Sequence, residues 1–313
     1  MTRAGGPQHL RATGTAECTP EPVTWAGHTE RGAQAVAHKQ EKVMGLDVSA
    51  LRSRGPSDGG IQVSAGNPVL VQRDMPTRTL VILPTYNEAG NLAGLVERVH
   101  RAVPRGDVLV VDDDSPDGTG RLADALDEAD QRVRVLHRTR RGGLGAAYVD
   151  AFRWALEHGY DRVAQMDADG SHPPELLPDL LRAADDADVV LGSRYVDGGH
   201  IEQWSWSRRT LSRLANGYSR RMLGVPLRDM TGGFRVFHRH VLATLPLTEV
   251  QSQGYCFQVD IAWRAWQSGY CIREVPITFT ERYLGTSKMS GTIVTEALRR
   301  ITVWGLRERR RRK

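Results

Sequence analysis

Two carboxylates one residue apart, Asp167 and Asp169, close the apolar run Val163–Met166 and precede Gly170-Ser171-His172-Pro173-Pro174. Side chains alternate along a strand, so both acids are expected on one side of the chain as the strand gives out. Gly170 suits a tight exit, and the paired prolines suit the first turn of a helix. Two convergent hard oxygen ligands at a strand end could hold Mg²⁺ or Mn²⁺ together with the phosphates of a substrate. An isolated Asp-x-Asp is more often a solvated loop, so the other clusters decide its meaning.

Pro84-Thr85-Tyr86-Asn87-Glu88 follows the apolar run Thr79–Leu83, with Asn87 placed as N-cap of a helix carrying Leu92, Leu95, Val96 and Val99. Asp112-Asp113-Asp114-Ser115-Pro116-Asp117-Gly118-Thr119 follows Val108–Val111. Four acids in six positions cannot be core; they form either a solvated turn or a site. Arg138-Thr139-Arg140-Arg141-Gly142-Gly143-Leu144-Gly145 opens a third helix. It lacks the Gly-x-Gly-x-x-Gly spacing and follows the third strand rather than the first, which excludes a dinucleotide fingerprint. Basic residues beside glycine at a helix start favour phosphate contact instead. No Gly-x-x-x-x-Gly-Lys-Ser/Thr occurs, so a P-loop nucleotidase is excluded.

Stepping along the chain, buried-type strands at 79–83, 108–111, 133–136, 163–167 and 188–192 alternate with amphipathic helices. That order predicts an α/β protein with a mostly parallel, doubly wound sheet. Ligands of such sheets sit beyond the carboxyl ends of the strands, where the clusters at 84–88, 112–117 and 167–171 all fall.

Composition bounds the rest. The net charge of +5 arises at the end of the chain, where residues 299–313 hold eight basic residues against Glu308 and leave −2 for residues 1–298. The body is near neutral, and no nucleic-acid partner is expected. Cys18, Cys256 and Cys271 contain no Cys-x-x-Cys, which suits a reducing compartment and gives no zinc framework. No run approaches a membrane span, and no signal-peptide core opens the chain, so a cytoplasmic protein is expected. Residues 1–75 are rich in Gly, Pro, Ser, Thr and charge without apolar periodicity, and are expected to be a disordered extension. A duller alternative is translation from Met75.

Taken together, the motifs at 84–88, 112–119 and 167–169, with Gly192-Ser193-Arg194-Tyr195, Gly254-Tyr255-Cys256-Phe257-Gln258 and Arg282-Tyr283-Leu284-Gly285-Thr286-Ser287-Lys288, resemble family 2 glycosyltransferases of the GT-A fold. Within these they are similar to the dolichol- or polyprenol-phosphate mannose synthases. The resemblance covers about residues 78–295 and implies one catalytic domain, 76–298, followed by a basic tail, 299–313. It implies that Pro84, Tyr86, Glu88, Val111 and Asp113 hold the guanine nucleotide of GDP-mannose. Asp167, Ala168 and Asp169 then hold metal and diphosphate, and Arg282 with Lys288 close over the diphosphate. Arg194, Arg208 and Ser212 are implied at the acceptor phosphate of a polyprenyl phosphate, with Asp169 and Arg194 at the reacting centre. Ser171 departs from the pattern: many members carry Gln there as a further metal ligand. A hydroxyl is a weaker one, so water or His172 could complete the shell, unless His172 merely bonds at the helix start.

The chemistry is consistent with this assignment. Displacing a nucleoside diphosphate builds anionic charge on the leaving group, which a divalent metal, Arg282 and Lys288 would stabilise. An acceptor phosphate is already anionic and needs no strong base, and one direct displacement inverts the anomeric centre. Two alternatives remain open at this level: a UDP-glucose-dependent sibling acting on the same lipid, and a non-catalytic nucleotide-binding subunit.

Between Trp204 and Leu223, the residues Leu211, Leu214, Ala215, Tyr218, Met222 and Leu223 form a helical stripe among Arg208, Arg209, Arg213, Arg220 and Arg221. It reads equally as a surface helix packed on the core and as an interfacial helix with Trp204 and Trp206 at headgroup depth. With the basic tail it suggests peripheral attachment to the cytoplasmic face of a membrane, or docking on a membrane-embedded partner. Trp263, Trp266 and Ile261 are expected as helix core, and Cys256 and Cys271 as small buried hydrophobes. Since residues 1–74 carry no motif, a chain beginning at Met75 is expected to match the full chain in melting temperature and turnover, as scanning calorimetry and a sugar-transfer assay would show.

Overall fold

Alternate residues of the first strand choose opposite layers. In the computed structural model, which describes residues 77–250, 254–281 and 291–311, Leu80 and Ile82 join one apolar cluster while Val81 and Leu83 join the other. A strand buried on both faces belongs inside a sheet covered by helices on each side. Strands β1 (Thr79–Thr85), β2 (Asp107–Asp112), β3 (Val133–His137) and β4 (Arg162–Gln165) alternate with helices α1 (Ala89–Ala102), α2 (Thr119–Ala129) and α3 (Leu144–Glu157). A 3₁₀ turn, Pro174–Leu176, then leads into α4 (Leu177–Ala183) and β5 (Val189–Ser193). Next come β6 (His200–Ile201), α5 (Trp206–Leu223), β7 (Arg235–His238) and α6 (Arg239–Thr244). The chain continues through α7 (Tyr255–Gln267), β8 (Ile272–Pro276), β9 (Thr278–Phe279) and α8 (Gly291–Arg311).

The main sheet runs β3-β2-β1-β4-β7-β5-β8, and β6 pairs with β9 beside it. Every pairing in the main sheet is parallel except those of β7, which runs antiparallel to both β4 and β5. The expected mostly parallel, doubly wound sheet is therefore present. One layer holds α1, α2 and α4. The other centres on α3 and α7, where Tyr148 stacks on Phe257 at 5.8 Å and Phe152 meets Phe237 edge-on at 5.5 Å.

Several local expectations are corrected. β4 ends at Gln165, so Asp167 and Asp169 lie in the loop beyond it rather than on strand alternation. Asn87 is not the cap of α1: it adopts φ +59°, Glu88 takes the cap position, and the Ala89 amide donates to Asp117 Oδ2 of the neighbouring loop at 3.2 Å. Trp204 is buried, and only Trp206, 80% exposed, faces outward. Trp266 lies at the surface rather than in the core, and Cys271 is half-buried where Cys256 is buried.

The basic run is also not a separate tail. The boundary at 298/299 falls inside α8, where Ile301 is buried and Trp304 stacks on Trp263 at 5.4 Å. Tyr218 of α5 bonds Thr302 of α8 through their hydroxyls at 2.6 Å. Residues 1–76, which include the proposed extension, lie outside the described residues. Gly305 makes the contact of α8 with α5 possible, since a Cβ there would stand 2.5 Å from the Met222 carbonyl oxygen. Gly305→Val is expected to prise the two helices apart at a cost of about 1–3 kcal/mol, read as a melting temperature several degrees lower.

Candidate active site

The carboxyl ends of β1, β2 and β4 bring the three sequence clusters to one edge of the sheet. Pro84 and Val111 are paired across β1 and β2, as are Thr85 and Asp112. Tyr86 is half-buried under the Arg141 guanidinium, 4.0 Å from the ring centre. Glu88 is buried and accepts from Asn91 Nδ2 at 2.8 Å.

The acids after β2 turn out to frame the loops. Asp112 accepts from Thr85 Oγ1 at 3.1 Å and from Ser115 Oγ at 2.6 Å, and Asp117 accepts from Thr119 Oγ1 at 2.6 Å. Asp113 accepts from the Gly142 and Gly143 amides at 3.0 and 2.9 Å and is paired with Arg138. The start of α3, expected to meet a phosphate, is thus occupied by a carboxylate of the chain itself, which supplies the negative charge a helix N-terminus favours. The structure gives Asp113 this internal set of partners beside the position expected to hold a nucleotide.

The loop after β4 holds Asp167, Ala168 and Asp169 in unlike settings. The Asp167 side chain is 28% exposed, whereas Asp169 is buried. Asp169 Oδ1 accepts from both the amide and the hydroxyl of Ser171, at 3.0 and 2.6 Å. The structure therefore places Ser171 as a brace for Asp169, its proton already committed. His172 is held at one nitrogen: its Nδ1 accepts from the Asp167 amide at 3.2 Å, its ring is wedged between Phe234 and Phe279, and its buried Nε2 has no hydrogen-bond partner among the described residues. Burial pushes the His172 pKa down, so the ring stays neutral.

Tyr148 Oη donates to Asp167 Oδ1 at 3.4 Å. Burial, and then the Asp167 charge, push this phenol well above its usual range and keep it protonated. A Cβ on Gly233 would stand 3.1 Å from Asp167 Oδ1, so the glycine lets the backbone lie close against that carboxylate. Among the described residues no three His, Cys, Asp or Glu side chains cluster as a metal cage. Two carboxylate oxygens in a polar loop do fit a hard cation whose shell is completed by substrate phosphates and water.

Arg194 follows β5 and is buried. Its Nε and Nη2 donate to Asp229 Oδ2 and Oδ1 at 2.7 and 2.8 Å, and Nη2 also donates to Thr231 Oγ1 at 2.8 Å. Burial pushes the Asp229 carboxyl up, but the charge and bonds of Arg194 outweigh this and hold it below the usual range. Arg235 is likewise buried and donates to three backbone carbonyls, those of Gly232, Gln258 and Met230. Burial lowers its pKa to about 10, and Asp229 opposes that shift.

Arg208 is paired with both oxygens of Glu281, and its guanidinium lies 4.1 Å from the centre of the Trp204 ring, which Arg194 also approaches at 5.5 Å. Ser212 lies one turn along α5 from Arg208. The structure thus brings Arg194, Arg208 and Trp204 together with Ser212 nearby. Phe279 joins this group to the Asp167–His172 loop, since its ring contacts both His172 and Trp204. Arg282 and Lys288 lie outside the described residues.

Tyr148, Asp229, Arg235, Phe279 and Glu281 were missed from sequence. Only the run Asp229–Arg235, with two charges around Gly232-Gly233, carried a visible signal.

A seven-stranded sheet of this order, with Asp167 and Asp169 in the loop beyond a central strand, is the GT-A fold of glycosyltransferases. Residues 80–245 match the model of "Glycosyl transferase family 2", and the chain belongs to that family. It is 56% identical over 234 residues to polyprenol monophosphomannose synthase of Mycolicibacterium smegmatis, covering 74% of this chain and 88% of that one. With undecaprenyl-phosphate mannosyltransferase of Micrococcus luteus it shares 52% identity over 232 residues, 74% of this chain and 96% of that one. A more distant fold relative is glucosyl-3-phosphoglycerate synthase of Mycobacterium tuberculosis, solved with Mn²⁺, UDP-glucose and phosphoglyceric acid. The TM-score is 0.54 at 18% identity, over 74% of this chain and 79% of that one.

Removing one partner of a buried ion pair costs about 3–5 kcal/mol, so Asp229→Ala is expected to lose that much at neutral pH. The folded carboxyl titrates below its unfolded value, so the stability it contributes is present above about pH 4 and is lost as pH falls through the folded pKa. Asp229→Asn should flatten this acid limb in denaturant titrations at stepped pH.

Proposed function

We propose that this chain transfers mannose from GDP-mannose to a polyprenyl phosphate with inversion, giving polyprenyl phosphate β-mannose and GDP. The observation that carries this reading is identity above one half, over most of their length, with two enzymes named for that lipid-linked mannose chemistry. In it, Pro84, Tyr86, Glu88 and Val111 face the nucleotide, and Asp113 fixes the wall behind it by holding the Gly142-Gly143 turn. Asp167 and Asp169 would hold Mg²⁺ or Mn²⁺, which would offset the charge growing on the leaving diphosphate.

The protein's own residues prepare this site. Ser171 fixes the rotamer of Asp169, while Tyr148 keeps its proton and steadies Asp167 without competing for it. Arg282 and Lys288 are proposed on the leaving diphosphate. The acceptor phosphate is proposed beside Arg208 and Ser212, with Arg194 holding the wall through Asp229. An acceptor already ionised at neutral pH attacks without a strong base, which fits a site whose one nearby histidine is neutral and enclosed.

Asp169→Ala is expected to fold and to lose at least a hundredfold in turnover, on the order of 3 kcal/mol of transition-state stabilisation. A panel of GDP-mannose and UDP-glucose with a short polyprenyl phosphate, with and without chelator, checks this. Transfer from UDP-glucose alone, or full activity in excess chelator, overturns the reading.

Among the described residues no helix is long and apolar enough to cross a membrane. A lipid-linked acceptor nevertheless ties the reaction to a bilayer, because each methylene brought into water costs roughly 0.8 kcal/mol. Peripheral attachment at the cytoplasmic face is proposed, through exposed Trp206 and the basic end of α8. Deleting residues 307–313 is expected to weaken sedimentation with anionic liposomes at low salt and to spare activity on a detergent-solubilised acceptor. Equal sedimentation of the truncated chain would rule out that end as an anchor.

A further inference from the structure

On the flank of α5 away from α8 lies a cavity of about 390 Å³, next to the proposed acceptor side through Arg194. Arg213, Asn216, Gly217 and Arg220 border it from the helix, Tyr195 from the segment after β5, and Arg228 from the far side. Its volume falls among small-molecule sites, about 300–1,000 Å³. Arg213 and Arg220 are exposed, and no carboxylate pairs with either among the described residues. Arg228 has one acid near it, Asp197 at 3.5 Å, and Asp197 is itself fully exposed. Buried Arg194 reaches the wall but is neutralised by Asp229. The cavity is therefore cationic, with the Arg213 guanidinium over the Tyr195 ring at 5.9 Å and no carboxylate paired with Arg213 or Arg220 among the described residues.

Gly217 borders the cavity with room to spare: a Cβ built there meets nothing within 4 Å. Guanidinium forks match the oxygens of a phosphate better than those of a lone small anion. The same helix gives the direction of approach. Trp206, 80% exposed, falls on the same helical row as Arg213 and Arg220, while Leu214, 65% exposed, lies about 100° further round the helix. An exposed tryptophan in line with phosphate-directed arginines fits a helix lying at a membrane interface.

We infer that this cavity is a headgroup pocket for an anionic phospholipid, occupied by a bilayer lipid that is neither donor nor acceptor. It rests on the proposal that the reaction takes place at a membrane, and it locates a specific contact there. One phosphodiester held by Arg213, Arg220 and Arg228 would fix the rotation of α5 at the surface, which a diffuse basic run cannot do.

The test uses the full-length chain without donor or acceptor, so its outcome is independent of the transferred sugar. Binding is measured to phosphatidylcholine vesicles containing phosphatidylglycerol, and to vesicles of equal surface charge in which the anion is a fatty-acid carboxylate. Arg213→Gln/Arg220→Gln is expected to bind the phosphatidylglycerol vesicles about 30-fold more weakly, at roughly 1 kcal/mol per arginine. It should lose much less on the carboxylate vesicles. Gly217→Glu, which places a carboxylate in the cavity at an unstrained helical position, should reproduce the loss. Mannosyl transfer to a detergent-solubilised acceptor should stay unchanged in both variants. Equal losses on the two vesicle types would reduce the pocket to general surface charge and overturn the proposal. So would saturation by inorganic phosphate with no competition from phosphatidylglycerol. Wild-type vesicle binding in both variants would overturn it as well.

Discussion

A guanidinium and a carboxylate, both withdrawn from water, hold one half of this molecule in place. Charges in such a setting are tolerated only when geometry and hydrogen bonding are nearly complete. Arg194 and Asp229 meet that condition with a two-pronged contact, and their neighbours extend it. The Asp229 amide donates to Glu274 on β8, and Asn216 of α5 bonds both Thr231 Oγ1 and the Met230 amide. One ion pair thus fixes the end of β5, the approach to β7, the helix carrying Arg208 and an edge strand of the sheet. The walls of the proposed acceptor side inherit their positions from it.

The second constraint is the reversed strand. A sheet that was parallel throughout would send the chain away from the ligand edge after each strand. By running antiparallel between β4 and β5, β7 starts at that edge, which puts Gly233 against Asp167 and Arg235 in the core nearby. Arg235 neutralises its surroundings without a direct carboxylate partner. Its donors are spent on carbonyls, and its charge acts through space on Asp229 and Asp167.

The parts of this design legible in sequence share one property: they are local. The strand–helix alternation, the acids at strand ends and the helix start at Pro174 can each be read within a few residues. The misread parts depend on contacts between distant segments. Asn87 looked like a cap because it precedes a helix, yet the cap comes from Asp117 across the sheet edge. Gly142 and Gly143 looked ready for a phosphate, but Asp113 reaches them first. Trp204 and Trp206 are indistinguishable in a string of letters; a guanidinium pair and Phe279 enclose one and leave the other in solvent. Arg194 was recognised as belonging to the site, but its commitment to a carboxylate 35 residues away was not visible.

Phe279 stands between the two halves of the site, its ring touching His172 behind the carboxylate loop and Trp204 beside the arginines. A side chain shared in this way is a common wall of the two regions. Thermodynamic reciprocity then applies: whatever factor an occupied donor side imposes on acceptor affinity, an occupied acceptor side returns to the donor.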